Sequence, residues 1–78
     1  MPTIFRINGY RFFFFSQEGF EPPHIHVEKA EGYAKFWLTP VGLASSRGFR
    51  GKELAEIACF VKKYRNLFED KWYEYSDD

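Results

Sequence analysis

The 78-residue sequence lacks the features that mark several common classes of protein. Its single cysteine, Cys59, excludes an internal disulfide framework and a zinc module built on several cysteines. The longest apolar run, residues 12–15, is far short of the roughly 20 residues that a membrane-spanning helix needs. The opening MPTIFRINGY has no basic segment followed by an apolar one, which is the pattern of a secretory signal. We therefore expect a cytoplasmic protein with no membrane partner.

Net charge is also absent, because eleven basic and eleven acidic residues cancel. Bulk electrostatics therefore do not predict binding to nucleic acid or to a membrane surface. The charge is uneven along the chain: residues 1–52 carry seven basic and four acidic residues, and residues 53–78 carry four and seven. Aromatic residues make up 22% of the sequence, which excludes disorder and supplies apolar surface for one small core.

Two runs of β-branched and aromatic residues at the start of the chain, 3–7 and 10–15, predict two β-strands. Asn8 and Gly9 separate them, and Asn-Gly favours a two-residue hairpin turn because both positions need positive φ. The predicted facing pairs are Ile7 with Tyr10, Arg6 with Arg11, Phe5 with Phe12, and Ile4 with Phe13.

A second hairpin is predicted over residues 24–30 and 33–38, with its turn at Glu31-Gly32. Polar and apolar residues alternate in both runs, which is typical of strands with one buried face. The facing pairs predicted from this turn are His26 with Trp37, Val27 with Phe36, and Glu28 with Lys35. Residues 41–46 can add a short fifth strand.

From residue 52 to residue 73 the apolar residues recur at steps of three and four, which predicts an amphipathic helix. The apolar stripe consists of Leu54, Ile57, Ala58, Val61, Tyr64, Leu67, Phe68 and Trp72. We therefore expect one α+β domain over 1–78: an antiparallel four- to five-stranded meander sheet (1–47), one long C-terminal helix packed on one face (52–73), and a frayed acidic tail (74–78).

One helix can cover only one face of such a sheet. The opposite face is then predicted to be a binding surface or half of a homo-oligomer interface. By alternation it carries Arg6, Arg11, Phe13, Phe15, His24, His26, Glu28, Lys35 and Trp37.

Residues at alternate positions of a strand project from the same face, so His24 and His26 are predicted to be neighbours. Two imidazoles can act as general base and acid on an RNA 2′-hydroxyl and its leaving oxygen, so both are candidate catalytic residues. With Glu28 they also resemble a facial metal triad, although this metal site is not favoured. The alternative is that all three are solvated polar residues on an open strand. No cofactor is predicted.

Basic and aromatic residues occur together on the same predicted face, in a pattern that suits contact with RNA. Cations can neutralise phosphates while rings stack on bases. The same residues can instead form an apolar patch with a polar rim that binds a partner protein. The candidate residues for RNA or partner binding are Arg6, Arg11, Phe13, Lys35, Trp37, Arg47 and Arg50.

The opening MPTI, the strand RFFFFS, and the strings EPPHIHV and AKFWL together resemble the small bacterial proteins grouped as domain of unknown function 4160. The resemblance extends over nearly the whole chain. It implies a component of a two-gene module of the toxin–antitoxin type, with a toxin-like or partner-binding role. The resemblance does not assign catalytic residues to this chain.

The leading hypothesis is therefore a cytoplasmic module component that binds a cognate protein partner, with RNA as a second candidate ligand, through an exposed sheet face. One alternative is a small ribonuclease-like toxin that uses His24 and His26 as acid and base. Another is a structural protein that forms homo-oligomers.

Overall fold

The structure is a computed structural model that describes residues 3–14 and 21–76, and it confirms the α+β class. Phe15 and the last two residues of the predicted tail lie outside the described residues. The strands are β1 (Thr3–Ile7), β2 (Tyr10–Phe13), β3 (His24–Lys29), β4 (Gly32–Leu38) and β5 (Val41–Arg47), and the helices are α1 (Gly51–Lys63) and α2 (Arg65–Ser76). All neighbouring strands are antiparallel, in the order β1-β2-β3-β4-β5, so the sheet is the predicted meander.

The first hairpin turns at Asn8 and Gly9, as predicted, with φ of +52° and +83°. Three of its four predicted pairs are confirmed: Ile7 with Tyr10, Arg6 with Arg11, and Phe5 with Phe12. The fourth is wrong, because a bulge lies between Thr3 and Phe5 and Phe13 faces Thr3 instead of Ile4. A bulge of this kind cannot be inferred from a two-residue alternation, because it inserts one residue into that alternation.

The predicted register of the second hairpin is wrong by two residues. The turn occupies Ala30 and Glu31, with Ala30 at φ +53°, and Lys29 faces Gly32. Gly32 is needed for close approach rather than for the turn, since a Cβ on it would lie 2.4 Å from the Phe49 ring. A shift of two residues keeps every side chain on its predicted face. The facing pairs become His24 with Trp37, His26 with Lys35, and Glu28 with Tyr33.

The prediction of one long helix is also wrong, because the helical segment divides at Tyr64. This residue has φ −107° and ψ 18°, and its ring centroid lies 4.5 Å from that of Phe5 on β1. The change of direction brings Phe68 of α2 into a stacked contact with Phe12, at 5.2 Å between centroids. A straight helix would leave a twisted sheet after a few turns, whereas two shorter helices can follow it. Leu67, which was predicted to belong to the apolar stripe, is consequently not part of the buried face of the helices and is 36% exposed.

The core lies between the helices and one face of the sheet. Its buried residues include Phe12, Phe14, Ile25, Val27, Phe36 and Leu38, with Ile57, Val61, Phe68 and Trp72 from the helices. Phe5 packs against this core and is partly exposed. Tyr10 is buried as well, and its hydroxyl donates to Glu56 Oε1 at 2.8 Å. Burial and this hydrogen bond raise the pKa of Tyr10 to about 12.

Neither α1 nor α2 is long and apolar enough to cross a membrane.

Candidate functional site

The sheet face that points away from the core, called here the far face, gathers most of the residues singled out from the sequence. By strand register it carries Arg6, Arg11, Phe13, His24, His26, Glu28, Tyr33, Lys35, Trp37 and Arg47. Six of the seven predicted binding residues are among them. The face is not as open as expected, because Phe13, His24 and His26 at its centre are buried in the folded chain.

One row of far-face residues crosses all five strands and is called here the cross-strand row: Arg6, Arg11, Glu28, Tyr33 and Arg47. Within it, Arg11 donates from Nη1 to Glu28 Oε1 at 2.7 Å and from Nε to Thr3 Oγ1 at 2.8 Å. Arg6 and Arg47 lie at the two ends of the row, on the edge strands, and both are exposed. Because Arg11 and Glu28 compensate one another, the row presents its positive charge at the two ends.

Cations on the far face cover aromatic rings. The contacts are Arg11 over Phe13 (4.3 Å from Cζ to the ring centroid), Lys35 over Trp37 (4.7 Å from Nζ) and Arg47 over Tyr33 (5.6 Å from Cζ). Such contacts contribute about 0.5–1 kcal/mol each at exposed sites. They also occupy ring faces that a base would need for stacking, so the far face differs from the open stacking platform that RNA-binding sheets offer.

Glu21, on the segment that leads into β3, neutralises a second far-face cation. Its Oε1 accepts a hydrogen bond from Lys35 Nζ at 2.7 Å. This bond holds the pKa of Glu21 below its ordinary value, against the smaller opposing effect of desolvation. Two of the basic residues predicted to contact phosphate, Lys35 and Arg11, are thus already paired with carboxylates.

His24 is fully buried and is held by backbone and aromatic contacts. Its Nδ1 lies 2.9 Å from the carbonyl oxygen of Pro22. A carbonyl can only accept, so Nδ1 carries a proton and donates it in this hydrogen bond. The imidazole also packs against two tryptophans, Trp72 of α2 at 4.7 Å and Trp37 at 5.7 Å between centroids. The position of His24 is therefore determined by packing on both the sheet and α2.

His26 is 2% exposed and lies between two parallel-displaced rings. Phe13 stacks on one side at 5.5 Å and Tyr33 on the other at 5.9 Å between centroids, with interplanar angles of 28° and 25°. A hydrogen bond of 2.7 Å joins His26 Nδ1 and the Tyr33 hydroxyl. The centroids of the two imidazoles are 5.0 Å apart, so the sequence correctly predicted that His24 and His26 are neighbours.

A general acid or base must come within hydrogen-bonding distance of the substrate atom whose proton it transfers. Burial keeps both imidazoles from a macromolecular substrate, and one nitrogen of each ring is engaged with the protein. The arrangement suits a structural role: an aromatic cluster in which Nδ1 of each imidazole is hydrogen-bonded within the protein.

The three residues considered for a metal site are not brought together as ligands. Glu28 bonds Arg11, and His26 bonds Tyr33. Across residues 3–14 and 21–76, no group of three or more His, Cys, Asp or Glu side chains is placed to hold a metal ion.

Arg50, the seventh predicted binding residue, lies away from the far face. It is the N-cap of α1, and its backbone N–H donates to Glu53 Oε1 at 2.9 Å. The acidic side chain thus satisfies a helix N-terminus whose cap residue is a poor one by type. Arg50 borders an open cavity of about 450 Å³, whose lining contains both basic and acidic residues. The lining residues are Tyr10, Lys29, Arg50, Lys52, Glu53 and Glu56.

Two residues of the site were missed by the sequence analysis. Tyr33 shares the face of Lys35 and Trp37 by strict alternation, so the spacing was a sufficient signal. Glu21 belongs to an irregular segment rich in proline and glycine. No periodicity connects it to Lys35, and only the fold brings them together.

Fold and site define a small α+β protein with a meander sheet whose far face carries paired cations, aromatic rings and exposed arginines at both edges. The chain belongs to the family described as Domain of unknown function (DUF4160), whose profile matches residues 9–73. A search of curated proteins finds no match, and neither does a search of solved structures.

Proposed function

We propose that this protein is a binding component of a bacterial two-gene module of the toxin–antitoxin type, and that its far face binds the protein encoded by the neighbouring gene. The observation that carries the proposal is the cross-strand row, in which Arg6 and Arg47 present exposed guanidinium groups at the two edges of one sheet face. Arginine is favoured at protein interfaces because its planar group binds carboxylates through two parallel hydrogen bonds. A partner with acidic side chains spaced across the width of the sheet suits this surface.

A protein partner is better supported than RNA by the same contacts. Glu21 and Glu28 neutralise Lys35 and Arg11, which leaves few cations for phosphate groups. The rings of Phe13 and Trp37 lie beneath cations. Binding to RNA draws most of its affinity from phosphate contacts, and single-stranded RNA also needs open rings. The zero net charge of the chain adds no long-range attraction.

The ribonuclease alternative is supported less well by the geometry. It requires His24 and His26 to reach RNA, and both are buried among aromatic rings. For catalysis the far face would have to open and break the contacts of both imidazoles with Pro22 and Tyr33.

The test is co-expression with the product of the neighbouring gene, followed by purification through a tag on that product. We expect this chain to copurify, and the Arg6→Glu/Arg47→Glu variant to bind at least tenfold more weakly, since two charge reversals at an interface exceed about 1.4 kcal/mol. The matched control is Arg50→Glu/Lys52→Glu, which changes net charge equally at exposed positions off the far face.

Four results would contradict the proposal. Equal weakening by both variants would show a general charge effect. An RNA shift without protein copurification, falling in affinity as salt rises, would replace the protein partner by RNA. RNA cleavage that is lost in a folded His26→Ala variant would establish the ribonuclease alternative. A concentration-dependent mass of the chain alone would point instead to homo-oligomers.

A further inference from the structure

The outer edge of β5 differs from the other edge of the sheet. The opposite edge strand, β1, carries the exposed Arg6 and a bulge, and both discourage pairing with another strand. β5 (VGLASSR) has no charge before Arg47, and its Leu43 is 47% exposed. Among the described residues no strand pairs with its outer side. Alternate N–H and C=O groups of an edge strand point outward, where a further strand can bond them.

The far face is open above the first half of this strand. A Cβ built on Gly42 meets no heavy atom of the described chain within 4 Å. The strand has a bulge in its pairing with β4, where Lys35 faces Ser45 and Phe36 faces Leu43, so that Ala44 is the extra residue. The bulge divides the edge into two short runs, 41–43 and 45–47.

Cations cluster at the start of the first run. A shallow cavity of about 180 Å³ is lined by Val41 of β5 and by Lys62, Lys63, Arg65 and Asn66 at the junction of the two helices. Lys62 and Lys63 are exposed in the last turn of α1, where positive charge also favours the helix dipole. Arg65 is 3.9 Å from Glu69, which is a weak pairing. Among the described residues, the lining of this cavity carries three cations and no carboxylate, next to open strand backbone.

We propose that the run 41–43 of β5 accepts an extended acidic segment of a partner protein as a sixth strand, with its carboxylates against Lys62, Lys63 and Arg65. Main-chain hydrogen bonds supply affinity in this mode of recognition, and side-chain pockets supply specificity. The inference rests on the proposed function only in taking the partner to be a protein. It assigns a second contact surface, separate from the centre of the far face.

The charges disfavour a second copy of this chain as the occupant. In an antiparallel self-pair centred on Ala44, Arg47 of one copy would face Val41 of the other. At each end of this strand pair, Arg47 of one copy would lie near Lys62, Lys63 and Arg65 of the other copy, and these like charges repel one another. An acidic strand meets the same cations with attraction.

The test uses backbone amide NMR on the ¹⁵N-labelled full chain with two probe peptides at millimolar concentration. One peptide alternates valine and glutamate over the seven residues that match β5 in length, and its counterpart alternates valine and lysine. We expect saturable shifts at 41–43 and 62–66 with the glutamate peptide and none with the lysine peptide. The amides of 41–43 should also become protected from hydrogen exchange.

Two variants make the test specific to this site. Lys62→Glu/Lys63→Glu is expected to weaken binding of the glutamate peptide about fivefold, because exposed ion pairs contribute modestly. Arg50→Glu/Lys52→Glu, with the same change in net charge, is expected to bind it normally. Leu43→Glu places a negative charge on the edge, which repels the glutamate peptide, and is expected to abolish binding. Circular dichroism confirms that each variant is folded.

The outcomes separate this proposal from the one on the far face. Absence of shifts at 41–43 would overturn the sixth-strand proposal, whether or not the neighbouring gene product copurifies. Shifts confined to Tyr33 and Trp37 would overturn it in favour of the far face. Shifts at β5 that depend on protein concentration without peptide would identify a second copy as the occupant, against our proposal.

Discussion

Replacement of His26 by alanine is expected to destabilise the protein strongly, because this imidazole is part of the packing. The substitution removes a hydrogen bond to Tyr33, worth about 1 kcal/mol, and two ring contacts worth about 0.5–1.5 kcal/mol each. The expected loss is therefore about 2–4 kcal/mol. A chain of this length typically has a free energy of unfolding of about 4–12 kcal/mol, so the loss is a large fraction of it.

The assay is urea denaturation at neutral pH, followed by tryptophan fluorescence and by circular dichroism. We expect a lower midpoint with an unchanged dependence on urea, since the unfolded state is little altered. His26→Phe is the matched variant: it keeps a ring between Phe13 and Tyr33 but leaves the Tyr33 hydroxyl without its bond. It should lose only about 1–2 kcal/mol.

A loss below about 0.5 kcal/mol for His26→Ala would refute this reasoning, since surface substitutions cost no more than that. The imidazole would then be free to act in chemistry, and the ribonuclease alternative would regain support. The same experiment is a necessary control for the test of RNA cleavage, because loss of cleavage in the His26→Ala variant can result from unfolding alone.

Two further predictions follow from single contacts. Lys35→Met should raise the pKa of Glu21, because the hydrogen bond from this lysine holds that pKa low. In the native chain the ionised Glu21 stabilises the folded state at pH values above the ordinary carboxyl pKa. This stabilisation is lost as the pH falls through the lowered pKa of Glu21. Carboxyl NMR titration measures the change, and an unchanged pKa would contradict it. Gly32→Ala should lower the free energy of unfolding by about 1–3 kcal/mol, because the added Cβ would overlap the Phe49 ring. Gly42→Ala is the control and should change unfolding in urea little, since a Cβ there meets no atom of the described chain within 4 Å. Equal effects of the two substitutions would contradict the explanation by overlap.

Local patterns were enough to predict a good part of the fold. The Asn8-Gly9 turn depends on two adjacent residues that tolerate positive φ, and the three strand pairs nearest to it follow directly from this turn. Outside the bulges of β1 and β5, alternation assigned the face of the strand residues, and it survived even the register error in the second hairpin, since a shift of two residues preserves the side. The neighbouring positions of His24 and His26 were predictable for the same reason.

Other features were decided by contacts between residues far apart in the chain. Gly32 resembled a turn residue, but its role is to admit the Phe49 ring, so the turn moved to Ala30-Glu31. The division of the helix at Tyr64 follows from the Phe5 contact and from the twist of the sheet beneath.

The candidate site also has some properties that the sequence determines and others that only the tertiary structure decides. Sequence alone determined that basic, aromatic and histidine side chains share one face, because strand alternation is a local property. Whether those side chains are free was decided only in three dimensions. Glu21 reaches Lys35 from an irregular segment, and Trp72 reaches His24 from α2. Burial and charge pairing depend on which distant groups meet, and a one-dimensional pattern does not contain that information.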